Sequence, residues 1–338
     1  MLADALGRPL ANLRLSVTDR CNLRCQYCMP EQDYVWLPKD DILHFEEIDR
    51  LVDVFLDIGA RRVRLTGGEP LLRKDLPVLI ERLAAKARIE DLAMTTNGVL
   101  FAPMARDLKA AGLHRVTVSL DTLDAERFVK LARVNELDRV IASLDAAADV
   151  FPGFKIDMVV IKGTNDDEMV AMVEFAKARG AELRFIEYMD VGGATRWTWD
   201  QVMTRAEMIA ALREQYGPVE PIQETSSAPA DRYRLADGTT IGIISSTTEP
   251  FCRACDRSRL TADGMWYLCL YAARGTDLRA PLRAGASTEE IRSLIEKTWR
   301  ARTDRGAESR LALRDRAAMI PVSSLKRDPH LEMHTRGG

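Results

Sequence analysis

Apolar and polar positions follow two rhythms over the first two-thirds of the chain. Short apolar or β-branched runs at Leu13–Val17, Val63–Thr66, Leu92–Thr96, Arg115–Leu120, Lys155–Ile161 and Leu183–Ile186 predict strands. Stretches of helical period lie between them. Glu46–Ile58 sets Ile48, Leu51, Val52 and Phe55 on one face, and Leu76–Ala87, Pro103–Ala111, Leu137–Ala148, Glu168–Arg179 and Glu207–Tyr216 follow the same pattern. Six strand-then-helix units predict an α/β fold with a parallel sheet, open or partly closed as a barrel. Right-handed crossovers would bring every strand's C-terminal end to one face, where barrel sites gather.

The rhythm changes after Gly217. Pro218–Pro229 is rich in Pro, Ser and Glu and reads as a connection. Short strands are expected at Tyr233–Leu235, Thr240–Ser245, Ser258–Thr261 and Met265–Leu268, with turns at Asp237-Gly238 and Asp263-Gly264. A helix at Thr288–Arg302 and an Arg-rich, weakly patterned tail complete the chain. The expected organisation is a barrel over residues 1–217 and a smaller α+β extension over 218–338.

Composition narrows the picture without deciding it. The chain has 338 residues, enough for a sizeable core. A formal net charge of −3 argues against a generally basic nucleic-acid surface, though not against local arginine clusters. No long apolar run is present and the N-terminal residues include Asp4, Arg8 and Arg14, so a cytoplasmic protein is expected.

The six cysteines fall into two groups of three, and an odd group cannot pair internally as disulfides. Cys21, Cys25 and Cys28 are spaced C-x3-C-x2-C directly after the first strand. That spacing offers three thiolates to a four-iron cluster and leaves one iron open to a small molecule. A zinc site would need a fourth ligand, and His44 is 16 residues beyond Cys28. Thr66-Gly67-Gly68-Glu69-Pro70 follows the second strand; its glycines permit close backbone approach and Glu69 offers an acceptor for an ammonium group. Read alone, this is a strand-ending turn.

Cys252, Cys255 and Cys269 read C-x2-C-x13-C, the frame of a zinc ribbon one cysteine short. A second four-iron cluster and a zinc ion both remain open on spacing. The neighbourhood is cationic. Arg257 and Arg259 project from one face of a strand, as do Arg62 and Arg64, and Arg14, Lys155 and Arg184 each lie on an expected strand. Each could pair with a carboxylate such as Glu182, Glu187 or Asp157. Seven pointing at one cavity would fit a polyanion such as a triphosphate.

Taken together, SVTDRCNLRCQYCMP, RLTGGEPLLR, TTNG, VSLD, RFIEYMDVG, the late cysteine triplet and the terminal Gly337-Gly338 resemble the GTP 3′,8-cyclase family of radical S-adenosylmethionine (SAM) enzymes, lyases of molybdenum cofactor biosynthesis. The resemblance implies a partial (βα)6 barrel with a C-terminal extension carrying a second [4Fe-4S] cluster. It implies SAM on the cluster of Cys21, Cys25 and Cys28, with Tyr27, Gly68, Glu69, Ser119 and Met189 contacting SAM. It implies GTP at Arg14, Arg64, Thr95, Lys155, Arg257 and Arg259, with the guanine edge at the cluster of Cys252, Cys255 and Cys269. Arg184, Arg257 and Arg259 are the implied catalytic residues, and Arg62 is a further phosphate contact. A 5′-deoxyadenosyl radical would take the ribose 3′ hydrogen, and the ribosyl radical would close onto guanine carbon 8. The product would pass to a cyclic pyranopterin monophosphate synthase, and an electron donor is implied. A homodimer is a further expectation. The glycine tail is expected to enter the cavity, with Arg336 beside it. The competing readings are a peptide-modifying radical SAM enzyme, a two-cluster electron carrier and a GTP-binding regulator. No G-x4-G-K-[ST] loop supports the last.

Overall fold

The computed structural model describes residues 2–224, 227–313 and 316–337. Six parallel strands carry the barrel: β1 (Asn12–Ser16), β2 (Arg62–Thr66), β3 (Asp91–Thr96), β4 (Arg115–Ser119), β5 (Lys155–Val160) and β6 (Glu182–Glu187). They alternate with α1 (Phe45–Ile58), α2 (Leu76–Ala84), α3 (Ala105–Ala110), α4 (Ala125–Ala132), α5 (Leu137–Val150), α6 (Met169–Lys177) and α7 (Arg205–Tyr216). The expected strands and the long helices are all present. The helix α4, capped by the Asp124 side chain on the Arg127 N–H, had no counterpart in the sequence reading.

Each barrel strand is two-faced. Leu13, Leu15, Val63, Leu65, Leu92, Met94, Val116, Val118, Ile156, Met158, Leu183 and Phe185 belong to the buried core. The alternate positions, among them Arg14, Arg64, Thr95, Lys155, Asp157 and Arg184, line an internal cavity.

The C-terminal strands do not form a separate sheet. β7 (Val219–Ile222), β8 (Asp231–Leu235) and β9 (Thr240–Ile244) extend the edge beyond β6, with β9 parallel to it. β10 (Arg257–Leu260), β11 (Met265–Tyr267) and β12 (Thr276–Asp277) extend the other edge, with β10 parallel to β1. The connection expected at Pro218–Pro229 therefore opens with a strand, β7, despite its proline. Pro221 is tolerated because β7 is the edge of the sheet. The remaining helices are α8 (Arg279–Arg283), α9 (Thr288–Arg300), α10 (Gly306–Leu311) and α11 (Val322–Leu325). Among the described residues, no helix is long and apolar enough to cross a membrane.

Trp299 of α9 is fully buried, stacks on Trp266 of β11 at 6.3 Å and donates its indole N–H to the Arg8 carbonyl at 3.2 Å. Trp266 in turn meets Phe55 of α1 at 5.5 Å. Trp299→Ala should cost about 3–5 kcal/mol, read as a lowered denaturant midpoint at unchanged slope.

Gly337 of the tail lies inside the barrel. The Gly337 carbonyl accepts from Arg14 Nε at 3.1 Å and Arg259 Nη1 at 2.6 Å. Gly337 has φ +66°, and an added Cβ would stand 2.1 Å from Thr66 Oγ1, so only glycine fits. Gly338 lies outside the described residues. Gly337→Ala should release the tail, raising hydrogen exchange across residues 333–337 while the barrel strands stay protected; an unchanged exchange pattern would contradict this seating.

Candidate active site

Two adjoining cavities occupy the barrel. The smaller, about 150 Å³, is lined by Cys21, Cys25, Cys28, Gly67, Gly68, Thr96 and Asn97. The larger, about 430 Å³, is lined by Cys252, Cys255, Cys269 and all seven basic residues singled out above. Tyr27, Thr95, Ser119, Asp121 and Met333 line both, forming the shared wall. The two cysteine groups, more than 200 residues apart in sequence, thus face a common interior.

The first cysteines occupy the loop after β1. Gly67 and Gly68 press against that loop: added Cβ atoms would lie 2.5 Å from the Thr18 carbonyl oxygen and 2.3 Å from that of Arg20. The close approach expected toward a ligand is thus, in the first place, an approach to the cysteine loop, locked by Gly68 N–H on Thr18 O at 2.9 Å and Glu69 N–H on Arg20 O at 2.8 Å. Glu69 is fully buried and accepts from the Leu71 and Asn97 N–H groups and the Thr96 hydroxyl at 3.0, 2.7 and 2.8 Å. Burial raises its carboxyl to about 7, against the pull of these donors. Glu69 so ties the GGEP turn to TTNG, and its Oε2, which accepts only the Asn97 N–H, still offers a lone pair. Burial also raises the Cys21 thiol to about 11 and pushes Cys25 and Cys28 upward.

Tyr27 donates its hydroxyl to Asp121 at 2.7 Å, across the wall between the cavities. Asp121 also accepts the Val159 N–H at 2.9 Å, and burial raises its carboxyl to about 6. Sequence reasoning took Ser119 from VSLD and passed over Asp121 at the end of the same motif. Met189 lines the larger cavity and packs with Cys269 against Cys252 and Tyr271, on the side of the second cysteines.

The basic residues divide by partner. Arg184 forms a forked pair with Asp157 at 2.7 and 3.0 Å, and Lys155 pairs with Glu182 at 2.5 Å. Arg62 is half-exposed, 3.8 Å from Asp256. Glu187, the third carboxylate considered, is taken by the Arg205, Thr247 and Thr248 N–H groups and the Thr248 hydroxyl. Arg64 donates to the hydroxyls of Thr95 at 3.1 Å and Thr117 at 3.3 Å. Arg259 donates to the tail carbonyls of Arg336 and Gly337. Arg257 lies over the Phe251 ring at 4.2 Å, and its buried Nε and Nη2 have no hydrogen-bond partner. Eight basic side chains, Arg115 being the eighth, face four acidic ones around this cavity. Burial and mutual repulsion lower Arg14 strongly and bring Arg64 and Arg259 down to about 10.

Cys252 lies on the turn before β10 and Cys269 just after β11. Burial alone would raise Cys255, but the Arg257 and Arg302 cations overcome it and hold the thiol below its usual range. Among the described residues, no three His, Cys, Asp or Glu side chains are gathered into a site for a single metal ion. The donor set fits iron–sulfur ligation at both places: three thiols on one loop at the first, and three from the two segments flanking the β10–β11 hairpin at the second, each group opening on a cavity. The unpartnered Arg257 guanidinium fits an anion in the larger one.

The tail brings Arg336, expected beside the cavity, and His334, which no motif announced. Arg336 is buried over the Tyr267 ring at 4.2 Å and donates to the Leu270 and Ala272 carbonyls at 2.9 and 2.6 Å, anchoring the tail rather than pointing at the cavity. His334 lines the smaller cavity with both ring nitrogens buried and unpartnered, and burial lowers it to about 3.

Comparison with known proteins agrees with this geometry. The Radical SAM superfamily profile matches residues 15–176, and the Molybdenum Cofactor Synthesis C profile matches residues 181–308. A GTP 3′,8-cyclase 1 of Mycobacterium tuberculosis is 56% identical over 340 residues, spanning 99% of this chain and 95% of that protein. A GTP 3′,8-cyclase of Staphylococcus aureus is 40% identical over 92% of this chain and 94% of its own. In fold alone, Streptococcus suis SuiB is similar at a TM-score of 0.61 and 17% identity, over 89% of this chain and 67% of SuiB. Such identity over nearly the full length of both sequences means that the chain belongs to the GTP 3′,8-cyclase family of radical SAM enzymes.

Proposed function

We infer that the protein cyclises GTP, joining ribose carbon 3′ to guanine carbon 8 to give (8S)-3′,8-cyclo-7,8-dihydroguanosine 5′-triphosphate for molybdenum cofactor synthesis. The observation that carries this reading is the pair of cysteine triads opening on adjoining cavities, the larger of them rich in arginine. Two [4Fe-4S] clusters and SAM belong to this activity: SAM on the first cluster would supply the hydrogen-abstracting radical, and the second would hold the substrate.

Cys21, Cys25 and Cys28 would hold the first cluster. The GGEP turn, with Gly68 and Glu69, would bind the SAM ammonium, and Tyr27, Ser119 and Met189 would shape the rest of the SAM site. Cys252, Cys255 and Cys269 would hold the second cluster against guanine. Arg14, Arg64, Thr95, Lys155, Arg257 and Arg259 would bind GTP, and Arg184, Arg257 and Arg259 would act on the reacting substrate. Phosphate binding remote from the ribose orients the sugar, so that its 3′ hydrogen lies in short contact with the abstracting carbon. A closed, dry lumen keeps that carbon from side reactions. Residues 1–217 would form the radical-generating half and 218–338 the substrate-cluster half. A cytoplasmic location, a homodimer, an electron donor and a downstream synthase that converts the product to cyclic pyranopterin monophosphate complete the reading.

Anaerobic incubation of the reconstituted protein with SAM, reductant and GTP should yield 5′-deoxyadenosine and cyclised GTP by mass spectrometry. Cys255→Ser should keep SAM binding and lose the cyclised product; normal product from that variant would remove the second triad from the reaction. Arg257→Ala deletes a buried cation directed at phosphate, an interaction of about 2–4 kcal/mol in such settings. It should therefore weaken GTP binding by about 30-fold or more and leave SAM binding within about threefold. Equal losses in calorimetric titrations would argue against a phosphate role.

A further inference from the structure

The two triads are supported by different chemistry. At the first, the donors to the Cys21 sulfur are neutral: the Leu23 N–H at 3.5 Å and the Asn97 side-chain amide at 3.7 Å. The nearby cation, Arg24, spends its Nη1 on the Cys21 and Leu23 carbonyls, at 3.0 and 2.8 Å. At the second, the donor to sulfur is a guanidinium. Arg302, just past the end of α9, places Nη2 at 3.6 Å from the Cys255 sulfur and Nη1 at 2.9 Å from the Cys255 carbonyl oxygen.

Arg302 is built in, not merely nearby. Its side chain is 1% exposed. The guanidinium stacks on Trp299 at 4.5 Å, and its Nε pairs with Asp304 at 3.0 Å. Asp4 stands 3.7 Å from its Nη1 and 2.6 Å from Nε of Arg8. Arg8 holds the other end of the turn, donating to the Cys252 and Asp304 carbonyls at 3.0 and 2.8 Å. The N-terminal segment and the end of α9 thus grip the C-x2-C turn through two buried arginines. The grip on the two carbonyls fixes the turn, which in turn fixes where the guanidinium meets sulfur.

We propose that Arg302 is a positioning residue of the second triad and that its hydrogen bond to the Cys255 sulfur raises the reduction potential of the cluster held there. This rests on the reading that Cys252, Cys255 and Cys269 hold a [4Fe-4S] cluster. The physical basis is charge. A reduced cluster carries one more negative charge than the oxidised one, so a buried cation bonded to a ligand sulfur stabilises the reduced form more. Neutral donors at the first triad do this less. A structural clamp alone would change cluster retention, whereas this role changes the potential of a retained cluster.

The test uses the full chain with Cys21→Ala, Cys25→Ala and Cys28→Ala, so that the second triad alone contributes. After anaerobic reconstitution, iron and acid-labile sulfide are counted and the midpoint is read by EPR-monitored redox titration. Arg302→Met should move the midpoint negative. Asp304→Asn, which removes the carboxylate that offsets the guanidinium, should move it positive. An unmoved or raised midpoint in an Arg302→Met protein that keeps its four irons overturns the proposal. Where Arg302→Met loses iron, Arg302→Gln, which keeps an amide donor for the Cys255 carbonyl without the charge, decides: a negative shift supports the proposal, and no shift or a positive one overturns it. Zinc, or no iron, in the parent triple variant would overturn the cluster assignment itself and the proposal with it.

Discussion

Three arginines stand side by side in one row of the sheet, and the rest of the interior is arranged around them. Arg14 on β1 is in register with Arg259 on β10 and with Arg64 on β2. Neighbouring strands lie about 4.8 Å apart, so three like charges share one row of a buried surface. Such a row is unstable unless oxygen atoms meet it. The protein supplies some: the Gly337 carbonyl between Arg14 and Arg259, and the threonine hydroxyls at Arg64. A carbonyl or a hydroxyl carries only partial charge. Burial, with the repulsion of neighbouring arginines, holds Arg14, Arg64 and Arg259 below the usual guanidinium range, and a polyanion bound there would oppose that repulsion.

The row exists because the barrel is polar inside and apolar outside. Parallel strands covered on both faces usually read as continuous apolar runs. Here the outward residues, such as Leu15, Leu65 and Ile156, pack in the core, while the inward ones include charged and hydroxylic side chains. Core packing must therefore come almost wholly from the layer between sheet and helices. The six strands leave the barrel open at one side. The stretch from Ser245 to Asp256 begins where β9 ends, beside β6, and reaches the start of β10, beside β1. It joins the two sides of the six-stranded barrel and carries Cys252 and Cys255 with it. The second triad is placed at the common interior by the same segment that bridges those sides.

The strands, the long helices and both triads were legible because each leaves a short-range mark: a period, a turn, or a fixed cysteine spacing. The seven basic residues were legible as a group because charge on a half-buried strand calls for a partner. Which of them keep a carboxylate was not legible. Arg184 and Asp157, or Lys155 and Glu182, meet only because β5 and β6 take one particular register. The C-terminal strands were found but their destination was not, since nothing local says that β9 joins β6 or that β10 joins β1. Arg302, His334 and Asp121 were missed for the same reason. Each meets a residue far off in sequence: Cys255, Tyr34 and Tyr27 respectively.

This difference in legibility has a physical origin. Residues that bind a cluster or turn a strand are constrained by neighbours in sequence, so their spacing is fixed. Residues that set the surroundings of that cluster are constrained by space, and many chain positions can deliver the same charge. The first cysteine loop is held by backbone contact with the GGEP turn, an exchange between consecutive βα units. The second is held by Arg8 and Arg302, from near the two ends of the sequence. A fold that brings chain ends onto the same turn ties the integrity of the second site to folding of the whole chain. The tail repeats the device, since Arg336 anchors on residues beyond β11 while Gly337 reaches the arginine row. The arginine row and the second triad are therefore each completed by residues late in the sequence, Gly337 at the one and Arg302 at the other.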